Sequence, residues 1–355
     1  MKIIMDNLMI CADLLHGIHL PDIPGLSLRN FRDERDFPRI HRVIAESAQA
    51  DQVETAETVE DITRRFQYLH HCDPFRDVLL VEISGETVGY GRVWWEVESS
   101  GAWIGAMTGA LLPEWRGLGI GRLMLTLAEK RLRAIAFQME RSGELAPAAR
   151  RFFEMWISFY EQDKRALLEA HGYTIARVEN LMKRPNLEDI PDAPMPEGLE
   201  VRPVLPEHYR LIWDAAQEAF QDHWGYLLPS EEDFYAWQSD PDFDPTLFQV
   251  AWDGDQVAGM VMTWINQQEN VKYNRKRGYT EGICVRRPWR RRGLARALLA
   301  RSLRALKDRQ MEEAYLSVDS QNLNQAFRLY ESVGFCLDRQ TACYRKEFFD
   351  EPGSK

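Results

Sequence analysis

Hydrophobic and polar positions along the chain follow the same succession twice. Residues 26–44 begin with an alternating apolar stretch and pass into an amphipathic helical pattern, and residues 199–216 do the same. Two apolar runs broken by a glycine-containing turn come next, from Val78 and from Leu247, which is the signature of a hairpin. Each copy then has a strand, a turn rich in Arg and Gly, and a long helix, from Gly109 and from Gly282. In the second of these helices Leu294, Leu298, Leu299 and Leu303 recur at helical spacing and mark a core-facing stripe. Each copy closes with a strand, a helix and a glycine–aromatic pair, Gly172-Tyr173 and Gly334-Phe335, where the glycine suits a left-handed helix stop.

Between the copies, residues 185–198 hold four prolines and four acidic residues without hydrophobic period, so they read as a linker. The expected organisation is an N-terminal extension (1–25), a first domain (26–184), the linker and a second domain (199–350). The 355-residue length agrees with two domains. Five scattered cysteines with no C-x-x-C spacing argue against a disulfide framework and a structural zinc and point to a reducing, cytoplasmic setting. No apolar run reaches the length of a membrane span.

The net charge is 44 − 55 = −11, a poor match to nucleic acid or an anionic membrane. Residues 286–292 break that trend with five arginines and no acid. They lie between a strand and a helix, and Gly293 and Ala295 keep the turn free of bulk. A helix N-terminus offers unpaired N–H groups and partial positive charge, and neighbouring arginines add charge-assisted hydrogen bonds. A phosphate or pyrophosphate is the ligand best suited to such a turn. The first copy repeats it at Arg116, Gly117, Gly119 and Gly121. No Rossmann or Walker fingerprint is present, nor the motifs of serine esterases or zinc hydrolases. His70-His71-Cys72-Asp73 are adjacent residues that do not converge on one ion, and the Asp240, Asp242, Asp244 series meets Pro245 where a calcium loop needs glycine, so no metal is expected.

Both turns fit R/Q-x-x-G-x-G/A, through Arg116, Gly119 and Gly121 and through Arg290, Gly293 and Ala295. They resemble the acetyl-coenzyme-A-binding motif of the GNAT family of N-acetyltransferases, and the order of elements resembles that family over most of 26–184 and 199–348. The duplication is similar to that of tandem members. The resemblance implies an α/β (α+β) fold. Each of its two GNAT-like domains would have a mixed, mostly antiparallel central sheet, helices on both faces and a splayed strand pair for coenzyme A.

The resemblance also implies a chemistry: transfer of an acetyl group from acetyl-coenzyme A to an amine by direct attack. The alternative is a non-catalytic coenzyme-A-binding regulator. The pyrophosphate would lie on Arg290, Arg291, Arg292, Gly293, Leu294, Ala295 and Arg296. The pantetheine arm would pair with the backbone of Ile283, Cys284 and Val285, whose side chains also suit the core. Tyr330 matches the family's proton donor to the departing thiolate. Asn322 either contacts the cofactor or caps the following helix. Glu281 is a candidate general base; the alternatives are a structural ion pair or a water chain that does the base's work instead. Glu281 lies four residues before Val285 and is expected on the same strand face. Asp222–Tyr226 either lines the acceptor pocket or packs on itself. In the first copy Leu168 stands at the tyrosine position and cannot donate a proton. The second domain is therefore expected to catalyse, and the first to bind coenzyme A weakly or serve structure. The expected acceptor is a small-molecule amine, and the expected assembly a monomer of paired domains or a homodimer.

Overall fold

The computed structural model describes residues 12–321 and 326–349. Twelve strands are defined: β1 (Leu26–Asn30), β2 (Val78–Ile83), β3 (Glu86–Val97), β4 (Trp103–Leu111), β5 (Arg151–Ser158), β6 (Thr174–Arg184), β7 (Glu200–Val201), β8 (Gln249–Asp253), β9 (Gln256–Trp264), β10 (Arg277–Val285), β11 (Glu313–Asp319) and β12 (Cys336–Glu347). They serve two compact units. One is Met1–Ala176 together with Ala342–Lys355, and the other is Arg177–Thr341.

The units are not contiguous in sequence, because the closing strand of each copy is exchanged. In the C-terminal unit, Glu179–Arg184 of β6 pair antiparallel with Ala314–Asp319 of β11. The C-terminal part of β12 lies beside β5 in the N-terminal unit, where the Phe348 N–H donates to the Arg151 carbonyl at 3.0 Å. Sequence order alone cannot assign an edge strand to one sheet or another.

In the N-terminal unit, β1 to β4 form an antiparallel meander and β5 joins β4 in parallel. The C-terminal unit repeats this with β7 to β10 and β11. The predicted hairpin turns form with Gly85 at φ +90° and Gly254 at φ +57°. The Phe37–Ala50 helix buries Phe37, Ile40 and Val43 and packs against β3 and β4, as does the Ile120–Ser142 helix. Their counterparts, Tyr209–Phe220 and Leu294–Asp308, pack against β9 and β10. Gly172 and Gly334 end their helices at φ +81° and +91°, as the glycine–aromatic pairs predict.

The C-terminal unit has a distinct core on each face of its sheet. Ile212, Ala215, Met260 and Cys284 meet on one face; Val261, Leu294, Leu298 and the partly buried Val285 meet on the other. No helix among the described residues is long and apolar enough to cross a membrane.

Candidate active site

The parallel strand pairs separate along their length. β4 and β5 pair only from Trp103/Arg151 to Ala106/Glu154, and β10 and β11 only from Arg277/Glu313 to Tyr279/Tyr315. Beyond these points the pairing stops in both units, and the Arg/Gly turn follows the first strand of each pair. Both turns lead into their helix through a glycine in the left-handed region, Gly119 at φ +88° and Gly293 at φ +85°. A glycine adopts that conformation without the clash a side chain would bring.

The two motif arginines brace their turns in the same way. Arg116 Nε donates to the Leu111 carbonyl at 3.2 Å, and Arg290 Nε donates to the Val285 carbonyl at 2.9 Å. Their remaining nitrogens differ. Those of Arg116 are occupied by Asp51 at 2.6 and 2.9 Å and by Ser47 Oγ at 2.8 Å. Arg290 has no second hydrogen-bond partner among the described residues.

The rest of the arginine run divides as well. Arg286 is held by Glu218 and Arg287 by Asp222, while Arg292 donates to the Glu197 carbonyl. Arg291 is exposed at φ +61°, in the conformation its counterpart Gly117 adopts at φ +73°. With Gly293, Leu294, Ala295 and Arg296 these residues surround the helix entrance.

The two units also differ in strand register. β3 and β4 pair without interruption from Gly89/Leu111 to Val97/Trp103. In β10, Glu281 faces Met262 and Cys284 faces Met260, so Gly282 and Ile283 together stand opposite Val261. Two residues against one is a β-bulge. Gly282 takes φ +56°, which glycine accommodates.

The bulge corrects one expectation. Cross-strand partners share a face, so Glu281 lies with Cys284, Met262 and Met260, and not with Val285. Four-residue spacing holds for an uninterrupted strand; the extra residue reverses its phase. A lone glycine inside an apolar strand was the available signal.

Glu281 is half-buried, and Oε1 accepts the backbone N–H of Ser317 at 2.9 Å. Burial pushes its carboxyl up to about 8 and the nearby Glu179 carboxylate adds to the rise, both against the hydrogen bond from Ser317. Glu179 is itself raised, chiefly by burial. It sits on the exchanged strand opposite Asp319, where reading the copies as separate domains could not place it.

Tyr330 is buried, and its phenol is held above its ordinary range by burial first and by the charge of Glu281 second. It therefore remains protonated at neutral pH, the form a proton donor needs. Burial pushes the Cys284 thiol up to about 12, so it is not a ready thiolate nucleophile.

Asp222 is the partner of Arg287, His223 packs edge-on against Phe220 with ring centroids 4.8 Å apart, and Trp224 carries Arg177 at 5.2 Å. Asn322 lies outside the described residues. In the N-terminal unit, Leu168 is buried where the second copy has Tyr330, and neither Met107 nor Thr108 offers a carboxyl at the position of Glu281.

This layout defines a coenzyme-A-dependent acyltransferase. The chain belongs to the Acetyltransferase (GNAT) family, whose model matches residues 40–159 and 205–335. It is similar to the mycothiol acetyltransferase of Thermobispora bispora, with 30% identity covering 66% of this chain and 73% of the relative. The mycothiol acetyltransferase of Streptomyces bingchenggensis is 29% identical over 80% of this chain and 85% of its own. Among solved structures, a GCN5-related N-acetyltransferase from Sphaerobacter thermophilus matches with TM-score 0.71 and 26% identity, covering 93% of this chain and 97% of that one. A tandem GNAT protein from the clavulanic acid biosynthesis pathway shares the fold at TM-score 0.63 and 15% identity, covering 91% and 98%. The protein is an N-acetyltransferase that moves an acetyl group from acetyl-coenzyme A, its co-substrate, to an amine.

Proposed function

We propose that acetyl transfer takes place in the C-terminal unit, in the cleft between β10 and β11, onto a small-molecule amine. The observation that carries this reading is Glu281. Its carboxyl, pushed up to about 8, lies beside a bulge on the splayed strand and close enough to Tyr330 to raise that phenol. A base titrating near neutrality can take a proton from an alkylammonium of pKa about 10.4, directly or through water.

The neutral nitrogen then attacks the thioester carbon, the carbon–sulfur bond breaks, Tyr330 gives its proton to the departing thiolate, and the second proton released by the acylated nitrogen restores the Tyr330 phenol, directly or through water. Arg290, Arg291, Arg292 and the residues 293–296 hold the pyrophosphate. The backbone of Ile283, Cys284 and Val285 pairs with the pantetheine arm. The protonated Cys284 thiol favours direct transfer over an acyl-enzyme.

The carboxyls of Glu179 and Glu281 favour an acceptor that arrives as a cation, and the mycothiol acetyltransferase relatives support the small-molecule class. In the N-terminal unit Arg116, Gly117, Gly119 and Gly121 keep the turn's shape, but the arginine is engaged by Asp51 and the acid is replaced by Leu168, which supports a non-catalytic role. Four described cysteines are unpaired, in keeping with a cytoplasmic location. Thiol release from acetyl-coenzyme A across a panel of small amines tests the reading. Activity retained by Glu281→Gln with an unchanged pH profile overturns the role of Glu281.

A further inference from the structure

Glu179 and Glu281 stand on one face of the C-terminal sheet, on the strands either side of β11. Glu179 faces Asp319 across the β6–β11 pair, and Ser317 lies two residues before Asp319 on the same face. Tyr279 faces Tyr315 in the parallel β10–β11 pair, and their rings meet with centroids 6.0 Å apart. Glu281 and Ser317 each lie two residues further along, so they share that face too. Both carboxyls converge on Ser317. Glu281 accepts its backbone N–H at 2.9 Å, and Glu179, raised chiefly by burial, is partly relieved by its hydroxyl.

Half-buried carboxylates are ordinarily paired. Neither of these forms an ion pair among the described residues. The charged and titratable groups around them are committed elsewhere or uncharged. Arg177, two residues before Glu179, pairs with Asp319 at 3.1 Å and lies over the Trp224 ring at 5.2 Å. Lys183 pairs with Glu313 at 2.5 Å. Tyr279 donates to Glu269 at 2.5 Å and Tyr315 to Asp338 at 2.6 Å. Burial lowers His223 and keeps Tyr330 and Cys284 protonated. The face thus presents two acids and leaves a cation to be supplied from outside.

We propose that Glu179 is a specificity-determining residue that binds the ammonium of the acceptor, beside Glu281, which takes its proton. This rests on the acceptor-site reading given above. Steady-state kinetics of the full-length chain with butylamine, a cation at neutral pH, and methoxyamine, which is uncharged there, tests it. Glu179→Gln should raise the KM for butylamine at least tenfold more than that for methoxyamine, with little change in the KM for acetyl-coenzyme A. Glu179→Asp should restore part of the loss. The rising limb assigned to Glu281 should move to lower pH in Glu179→Gln, because a neighbouring negative charge has gone.

A second measurement does not depend on turnover. The Glu179 carboxyl is raised by burial, so the folded chain is penalised as pH rises and the group ionises. Without acceptor, Glu179→Gln should therefore match or exceed the wild-type Tm above neutral pH. The proposal is overturned by an unchanged KM for butylamine, by an equal loss with methoxyamine, or by a lower Tm, the last two marking a structural residue. Failure of the Glu281 reading shows differently: Glu281→Gln then keeps the pH profile while the butylamine KM still responds to Glu179→Gln. A wild-type chain that releases no thiol with any alkylamine overturns the small-amine reading and this proposal with it.

Discussion

The guanidinium of Arg116 is gripped by the carboxylate of Asp51 through two hydrogen bonds of 2.6 and 2.9 Å. Arg290, at the matching turn, keeps only the bond from Nε to Val285. The same motif residue is thus a structural clamp in one unit and an available cation in the other. Arg290→Ala should raise the KM for acetyl-coenzyme A about tenfold or more, the scale of one charge-assisted hydrogen bond. Arg116→Ala should leave that KM unchanged and lower stability by about 1–3 kcal/mol, because Asp51 loses its partner in a largely buried place. Steady-state kinetics and chemical denaturation of the two variants separate these outcomes.

Glu281 must be ionised to accept a proton. Its carboxyl titrates at about 8, so the productive fraction grows as pH rises through that value. kcat/KM should climb tenfold per unit below the transition and level off above it. Glu281→Gln should lower kcat/KM by roughly 10²–10⁴-fold on the plateau and remove this limb.

Stability carries the opposite sign. The folded carboxyl is raised above its ordinary 4.5, so its contribution is fully present below that value and is lost as pH rises through about 8. Wild-type Tm should therefore fall relative to Glu281→Gln between these limits. Parallel Tm curves for the two proteins would count against the buried carboxyl.

Much of this arrangement was legible in the sequence because it is local. The hydrophobic period marked the hairpins and helices, and Gly119 and Gly293 marked helix entries that need a left-handed residue. What was not legible depends on distant pairing. Glu179 reaches the site only because β6 pairs with β11, and alternation within one strand carries no record of that choice. The face of Glu281 was misread for a related reason: a bulge is defined by the partner strand, and Gly282 alone only hints at it. The engagement of Arg116 was hidden because Asp51 lies 65 residues earlier.

Tyr330 and Leu168 occupy matching places, and only the first can donate a proton. Tyr330→Phe keeps the ring that packs near Phe335 and removes the hydroxyl. It should lower kcat about 10²-fold or more, with little change in the KM for acetyl-coenzyme A, since the proposed role of the phenol is in the breaking of the thioester. Leu168→Tyr should not raise turnover, because Met107 and Thr108 supply no base beside it. Full turnover by Tyr330→Phe would remove the phenol from the mechanism.

Gly282 ties backbone shape to chemistry, and its substitution tests whether the bulge places Glu281. Its φ of +56° lies where a side chain is strained, and a Cβ there would stand 3.2 Å from Met262 Cβ and closer still to the end of that side chain. Gly282→Ala should cost about 1–3 kcal/mol, through the left-handed conformation and the contact together. Met262→Ala in the same chain should relieve the contact with the end of that side chain but keep the approach of the two Cβ atoms and the conformational part, so stability returns only in part. Activity separates packing from placement. If the strand answers the substitution by straightening, Glu281 moves to the other face and the limb near pH 8 disappears even in the double variant. A double variant that regains both stability and the wild-type pH profile would show that the bulge does not depend on glycine.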